Sequence, residues 1–321
     1  MEIQTQYGTI KGIANYSFFR NTEQIEDICC DTKNEIQTSL GVLIPRYSNP
    51  EGRRKSTSCL SFYKSGKLKS IDLQDQTNIQ TSIGAIPAEF VSFYENGAVY
   101  RIFPRNSQIS GFWTDEEENE INPDLTCTLS AHTINGKMSS LTFYPEGSLK
   151  SLCLSPGEAF SLSFEEQTIP VRYGISFYED GTLQAVEPAR EVALTTPLGE
   201  LHAYHATALG IHADNCSLKF YKNGTLQSLY TSSDCLNIQL NSGETLLQKP
   251  MYQVNPLTNE GLELLPLQIT FQEESITFRH PTLFNEKATT IFSHEIKQVT
   301  ISKLPKLEGC SLGCANCQHC H

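Results

Sequence analysis

The sequence predicts an all-β fold: antiparallel β-hairpin repeats forming an elongated or curled sheet, with few helices and a Cys-rich C-terminal tail. Two recurring strings carry that expectation. The first occurs five times, as LSFYKSGKL from Leu60, VSFYENGAV from Val91, LTFYPEGSL from Leu141, ISFYEDGTL from Ile175 and LKFYKNGTL from Leu218. The second precedes or separates those copies, as TQYGTIKG from Thr5, TSLGVLIP from Thr38, TSIGAIP from Thr81 and TPLGELHAY from Thr196.

Each copy of the first string reads apolar-x-Phe-Tyr-x-x-Gly-x-Leu/Val. Alternation into the Phe marks a strand, and pairs such as Asn96-Gly97, Asp180-Gly181 and Asn223-Gly224 mark a tight turn whose Gly accepts a positive φ. The outgoing strand then carries apolar residues three apart, as in Leu68 and Ile71, Leu149 and Leu152, or Leu226 and Leu229. On a regular strand that spacing puts the two on opposite faces, so either both faces are covered or a bulge kinks the ladder. Residues 17–41 align as a sixth, degenerate copy with one insertion. Phe62, Phe93, Phe143, Phe177 and Phe220 stand 31, 50, 34 and 43 residues apart, which places insertions between hairpins, where loops tolerate them.

Three regions follow. Residues 1–236 form the six-copy hairpin region, stacked unit on unit. Residues 237–307 keep strand-like runs such as LPLQITF, ESITF and IKQVTISKL and are expected to form a β-rich cap or small domain. Residues 308–321 are a Cys/His-rich tail.

Composition narrows the function. With 24 Lys+Arg against 36 Asp+Glu, the formal charge of -12 repels nucleic-acid backbones and anionic lipid, so neither is an expected partner. The acidic run from Asp115 to Glu120 reads as a solvated loop. The opening residues MEIQTQYGTIKG have no basic or apolar secretory region, and no run has the roughly 20 apolar residues of a membrane helix, so a cytoplasmic location is expected. There Cys29, Cys30, Cys59, Cys127, Cys153, Cys216 and Cys235, which follow no framework spacing, stay free thiols, and the Cys29-Cys30 pair reads as two packed small hydrophobes.

The units FYENG, FYEDGTL and FYKNGTLQS resemble the aromatic-x-x-Gly hairpins of MORN-like repeats in bacterial proteins of the YwqK antitoxin type, over about two-thirds of the chain. That resemblance implies an open β-repeat scaffold that contacts other proteins, and it supplies no catalytic residues.

The tail, EGCSLGCANCQHCH, holds Cys310, Cys314, Cys317 and Cys320, with His319 and His321 beside the last thiol. Close spacing lets one short loop fold its sulfurs around a soft metal, with little bulk at Gly313, Ala315 and Asn316. Structural zinc usually joins two separated Cys-x-x-Cys knuckles, a separation absent here, whereas closely run cysteines suit an iron–sulfur cluster; both remain open. Cys310-x3-Cys314-x2-Cys317 also resembles the radical-SAM motif, but no β/α barrel follows it. CQHCH matches the haem c attachment string, against which stand the missing export signal and the end of the chain at the ligand. A secondary candidate is His202, His205, His212 and Asp214, where extended backbone would point His202 and His205 to opposite sides. No phosphate loop, nucleophile elbow or zinc-protease helix appears. The expected function is a non-enzymatic protein-binding scaffold with a metal-binding tail. The alternatives are a metal-dependent redox component or enzyme, and an antitoxin-like neutraliser of a partner protein.

Overall fold

A computed structural model of the chain describes all residues except 50–51, 107, 130–132, 165–166, 209–215, 255–261, 281–287 and 306–321. The described residues are nearly all antiparallel β-strand, with one α-helix, Asp115–Ile121, and one 3-10 turn, Ser293–Glu295. The chain divides into two compact units, residues 1–163 with 172–182, and residues 164–171 with 183–321.

In the first unit, strands Ile13–Phe18, Ile25–Cys30, Leu60–Phe62, Leu68–Thr81, Gly84–Phe93, Val99–Phe103, Thr133–Phe143 and Leu149–Leu154 pair each with the next, ending on residues 174–176. Every FYxxG string makes the same tight turn, in whichever unit it lies. The Gly66 N–H donates to the Tyr63 carbonyl at 2.8 Å and the Tyr63 N–H to the Lys67 carbonyl at 2.8 Å, and the same two bonds recur at Tyr94, Tyr144, Tyr178 and Tyr221. The five turn glycines have φ between 78° and 93°, a region that L side chains enter only with strain.

A bulge resolves the three-residue spacing of the outgoing strands. Phe62 pairs with Leu68 but Ser61 pairs with Ser70, so Lys69 is an extra residue in the ladder. Glu26, Tyr100, Lys150 and Gln227 take the same place in other copies. Because one residue is skipped, Leu68 and Ile71 return to the same buried face.

The bulge aligns one apolar row across the sheet. In the first unit it runs Tyr16, Ile28, Leu60, Ile71, Val91, Ile102, Leu141, Leu152 and Ile175, each paired with the next. All but Tyr16 are fully buried. Beside it, Phe62, Phe93, Phe143 and Phe177 are buried as well. The tyrosines that follow them stitch neighbouring hairpins together: the hydroxyls of Tyr63, Tyr94 and Tyr144 donate to the carbonyls of Phe93, Phe143 and Phe177 at 2.7, 2.9 and 3.0 Å. Tyr144→Phe deletes one stitch without changing shape, and is expected to lower stability by about 0.5–1.5 kcal/mol in urea unfolding. A neutral result would show that the carbonyl is satisfied equally well without the hydroxyl.

The TxxG strings form the intervening hairpins. At Thr5, Thr38, Thr81 and Thr196 the hydroxyl donates to the carbonyl of the Gly three residues on, at 2.7 to 2.9 Å. It also accepts the backbone N–H two residues on, so one side chain closes the turn from both sides.

In the second unit, strands Leu183–Pro188, Leu218–Phe220, Leu226–Thr231, Leu267–Phe271, Ser275–Arg279 and Ala288–Phe292 pair in that order. The pairing of Leu229 with Ile269, and the bond from the Tyr221 hydroxyl to the Phe271 carbonyl at 2.9 Å, repeat the junction seen between the other hairpins. ITFQEES from Ile269 is therefore a further hairpin, whose missing Tyr and Gly conceal it in the sequence. A three-stranded sheet of Thr245–Gln248, Asp234–Leu240 and Ile296–Lys303 lies in the same unit.

The acidic run is a correction to the loop expectation. Thr114 caps the helix Asp115–Ile121 with a capping box to Glu117, and the four acidic residues of its first turn suit a helix N-terminus.

Candidate functional site

Of the sequence-chosen metal residues, Cys310, Cys314, Cys317, His319, Cys320, His321, His212 and Asp214 lie outside the described residues. His202 and His205 are placed, with different partners. His202 lies on the strand Gly199–Ala203, where its backbone N–H donates to Asp234 Oδ2 at 2.6 Å and its ring Nδ1 lies 3.1 Å from Asp234 Oδ1. The His205 ring packs against Tyr230, with centroids 4.9 Å apart. Asp234, fully buried, also accepts from the Thr231 hydroxyl at 3.0 Å and pairs with Lys303 at 3.0 Å. A buried carboxylate that fixes an imidazole can prepare it for acid–base work or metal ligation. Here the same carboxylate joins a turn and two strands, which is anchoring work. Among the described residues, no group of three or more His, Cys, Asp or Glu side chains is arranged to hold a metal ion.

Sequence reasoning missed a buried ion network in the first unit. Asp72 lies between Arg46 Nε at 2.5 Å and Arg54 at 3.0 Å. Glu89 accepts from Arg53 and, at 2.7 Å, from Arg105, while Arg53 also reaches Glu118 of the acidic helix at 2.6 Å. Arg46, Arg53, Arg54, Asp72 and Glu89 are all buried. Carbonyls complete the shell, with Arg54 donating to Leu73 and Gln74 and Arg46 to Lys55 and Thr57. These side chains are held by one another, so the network braces the long segment between Leu43 and Leu60 against the sheet.

Burial alone would raise the Glu89 carboxyl, but hydrogen bonds from Arg53, the Asn106 N–H and Arg105 outweigh it and leave the group below its ordinary value of 4.5. A depressed folded value means that Glu89 contributes stability above about 4.5, and that this contribution disappears as pH falls through the lower folded value. In acid titrations of stability, Glu89→Gln should therefore remove part of the acid-side slope below about pH 4.5. An unchanged slope would contradict the pairing.

The feature that stands open is the strand Ile13–Phe18. It is the incoming strand of the degenerate first copy, and among the described residues its one strand pairing is with Ile25–Cys30. Tyr16 and Phe18 occupy the positions at which Leu60 and Phe62, Val91 and Phe93, or Leu141 and Phe143 are buried, yet they are 40% and 45% exposed. Their rings meet edge-on at 5.3 Å. The strand, IANYSF, carries no charge and no proline, the usual guards of a sheet edge. In sequence it keeps the alternation into Phe but carries Tyr16 where the other copies have Leu, Val or Ile, and Phe19 where they have Tyr.

The chain matches no known family model, no curated protein and no solved structure. No helix of the described residues is long and apolar enough to cross a membrane.

Proposed function

We propose that the protein is a non-enzymatic β-hairpin scaffold that binds another protein through the uncovered strand Ile13–Phe18, with a C-terminal tail that binds metal. The observation that carries the docking reading is the exposure of Tyr16 and Phe18 at the two incoming-strand positions that are buried in the other copies of the first unit. A partner strand laid along this edge would satisfy unpaired backbone groups and cover both rings, the β-augmentation mode of recognition. The partner is a protein rather than nucleic acid or a membrane surface, because an acidic chain repels both alternatives. For the tail, Cys310, Cys314, Cys317 and Cys320, with His319 and His321, supply a soft donor set suited to an iron–sulfur cluster or zinc.

Two measurements test the two halves separately. Tagged full-length protein recovered from its own cells should carry a stoichiometric protein partner, and Tyr16→Ser/Phe18→Ser should lose it. Recovery of the partner by that variant would remove the edge as docking site, and absence of any partner from the wild type would sink the scaffold reading. Metal and sulfide analysis of anaerobically purified protein should find iron with sulfide, or zinc, and a chain ending at Leu307 should lose it; equal metal in the two would refute the tail. An antitoxin-like role is the case in which the partner is a small toxic protein.

A further inference from the structure

Three segments of the second unit meet at Asp234. Strands Asp234–Leu240 and Ile296–Lys303 pair with Asp234 opposite Lys303, and the Leu304 N–H then donates to the Ser233 carbonyl at 2.6 Å. The strand Gly199–Ala203 lies against the same place: a Cβ added at Gly199 would stand 3.1 Å from the Ile301 Cδ1. Lys303 Nζ and His202 Nδ1 share one oxygen, Asp234 Oδ1, at 3.0 and 3.1 Å. The chain therefore passes the His202 imidazole at Lys303, two residues before the last described residue, Pro305.

The contact with Asp234 also selects which ring nitrogen is left for other work. An ionised carboxylate only accepts hydrogen bonds, so a neutral imidazole held by it carries its proton on Nδ1 and its lone pair on Nε2. Lys303 supplies the buried carboxylate with a positive charge, so the imidazole need not. Among the described residues Nε2 makes no hydrogen bond, and the side chain is 26% exposed, enough for a ligand to reach it. A histidine fixed at one nitrogen by a carboxylate is the oriented ligand that metal sites use. Asp234 can anchor its strands and orient this ring at once.

We propose that His202 is a zinc ligand through Nε2 and completes a site with thiolates of the C-terminal tail. This rests on the metal-binding reading of the tail and assigns its metal. The closely run tail cysteines lack the second, separate element on which structural zinc sites draw. A strand of the second unit that carries an oriented imidazole supplies that element. Three of the thiols of Cys310, Cys314, Cys317 and Cys320, together with His202, make the tetrahedral set of three sulfurs and one nitrogen that suits zinc. Cys310 is the seventh residue after Lys303, roughly 24 Å of chain at full extension, so the first thiol has ample reach to the ring beside Lys303.

The test uses full-length protein, reduced anaerobically and loaded with zinc. His319→Gln/His321→Gln removes the imidazoles of the tail itself, and X-ray absorption of that variant should still show one nitrogen among the sulfur ligands. Adding His202→Gln should remove it. In competition with a zinc chelator, His202→Gln alone should weaken zinc binding by at least ~10-fold, the least that loss of even an outer-shell partner costs. Should that variant fail to fold, the wild type decides. Diethyl pyrocarbonate should modify His202 in the zinc-free protein and spare it in the zinc-loaded one, read by fragmentation of the tryptic peptide 191–219. Sulfur-only ligation in the first variant, a nitrogen ligand surviving the triple variant, unchanged zinc affinity in His202→Gln, or equal modification with and without zinc would overturn the assignment while leaving the tail as a metal site. Zinc retained in full by a chain ending at Leu307 would refute the tail reading itself.

Discussion

Replacing Asp72 with Ala is expected to lower stability by about 3–5 kcal/mol, the cost of leaving a buried charge without its partner. Asp72 is almost wholly buried, and it is the carboxylate that both Arg46 and Arg54 meet. After its removal two buried guanidinium groups would keep only neutral partners, the Lys55 and Thr57 carbonyls and the Thr57 hydroxyl for Arg46 and the Leu73 and Gln74 carbonyls for Arg54. Those carbonyls satisfy hydrogen-bond geometry but bring no negative charge. Urea unfolding checks the magnitude, and a companion variant checks the cause: Asp72→Leu with Arg46→Met and Arg54→Met removes all three charges and should recover most of the loss. A loss below about 1 kcal/mol for Asp72→Ala would mean that water already reaches the cluster.

Phe143→Ala should be comparably severe, at about 3–5 kcal/mol, through loss of buried surface and the cavity left behind. Phe143 is 1% exposed and pairs with Leu149 at the bulge, while its carbonyl accepts the Tyr94 hydroxyl. Phe18 holds the same place in the first copy and is 45% exposed, so Phe18→Ala should change stability by no more than about 0.5 kcal/mol. Measured together, the two variants separate burial from sequence pattern. Similar losses for both would show that the first strand is covered by something, such as a second copy of the chain.

The repeated strings were legible because a hairpin is a local object. Tyr, the turn pair and Gly lie within a few residues, and the steric demand of a positive φ at Gly66 or Gly147 is set within that stretch. The same locality hid other parts. ITFQEES turns without the Tyr or Gly that defined the pattern, and the acidic run at Asp115 forms a helix because Thr114 and Glu117 cap it, while Arg53 from a distant segment takes up the Glu118 charge.

The candidate sites divide on the same principle. Arg53 and Arg54 read as ordinary surface charge until the fold sets Glu89 and Asp72 against them, 36 and 18 residues away. Tyr16-Ser17-Phe18 shares the alternation of its buried counterparts yet is exposed, because burial depends on which strand lies alongside, and that is a non-local fact. By itself, then, the sequence determined the alternation, the turns and hence the all-β hairpin architecture, since those follow from backbone sterics and side-chain period over a few residues. Only the tertiary structure decided which apolar rows are closed, which charges are paired and, among the described residues, which strands have a neighbour on one side only, since each of these depends on groups brought together across long stretches of chain.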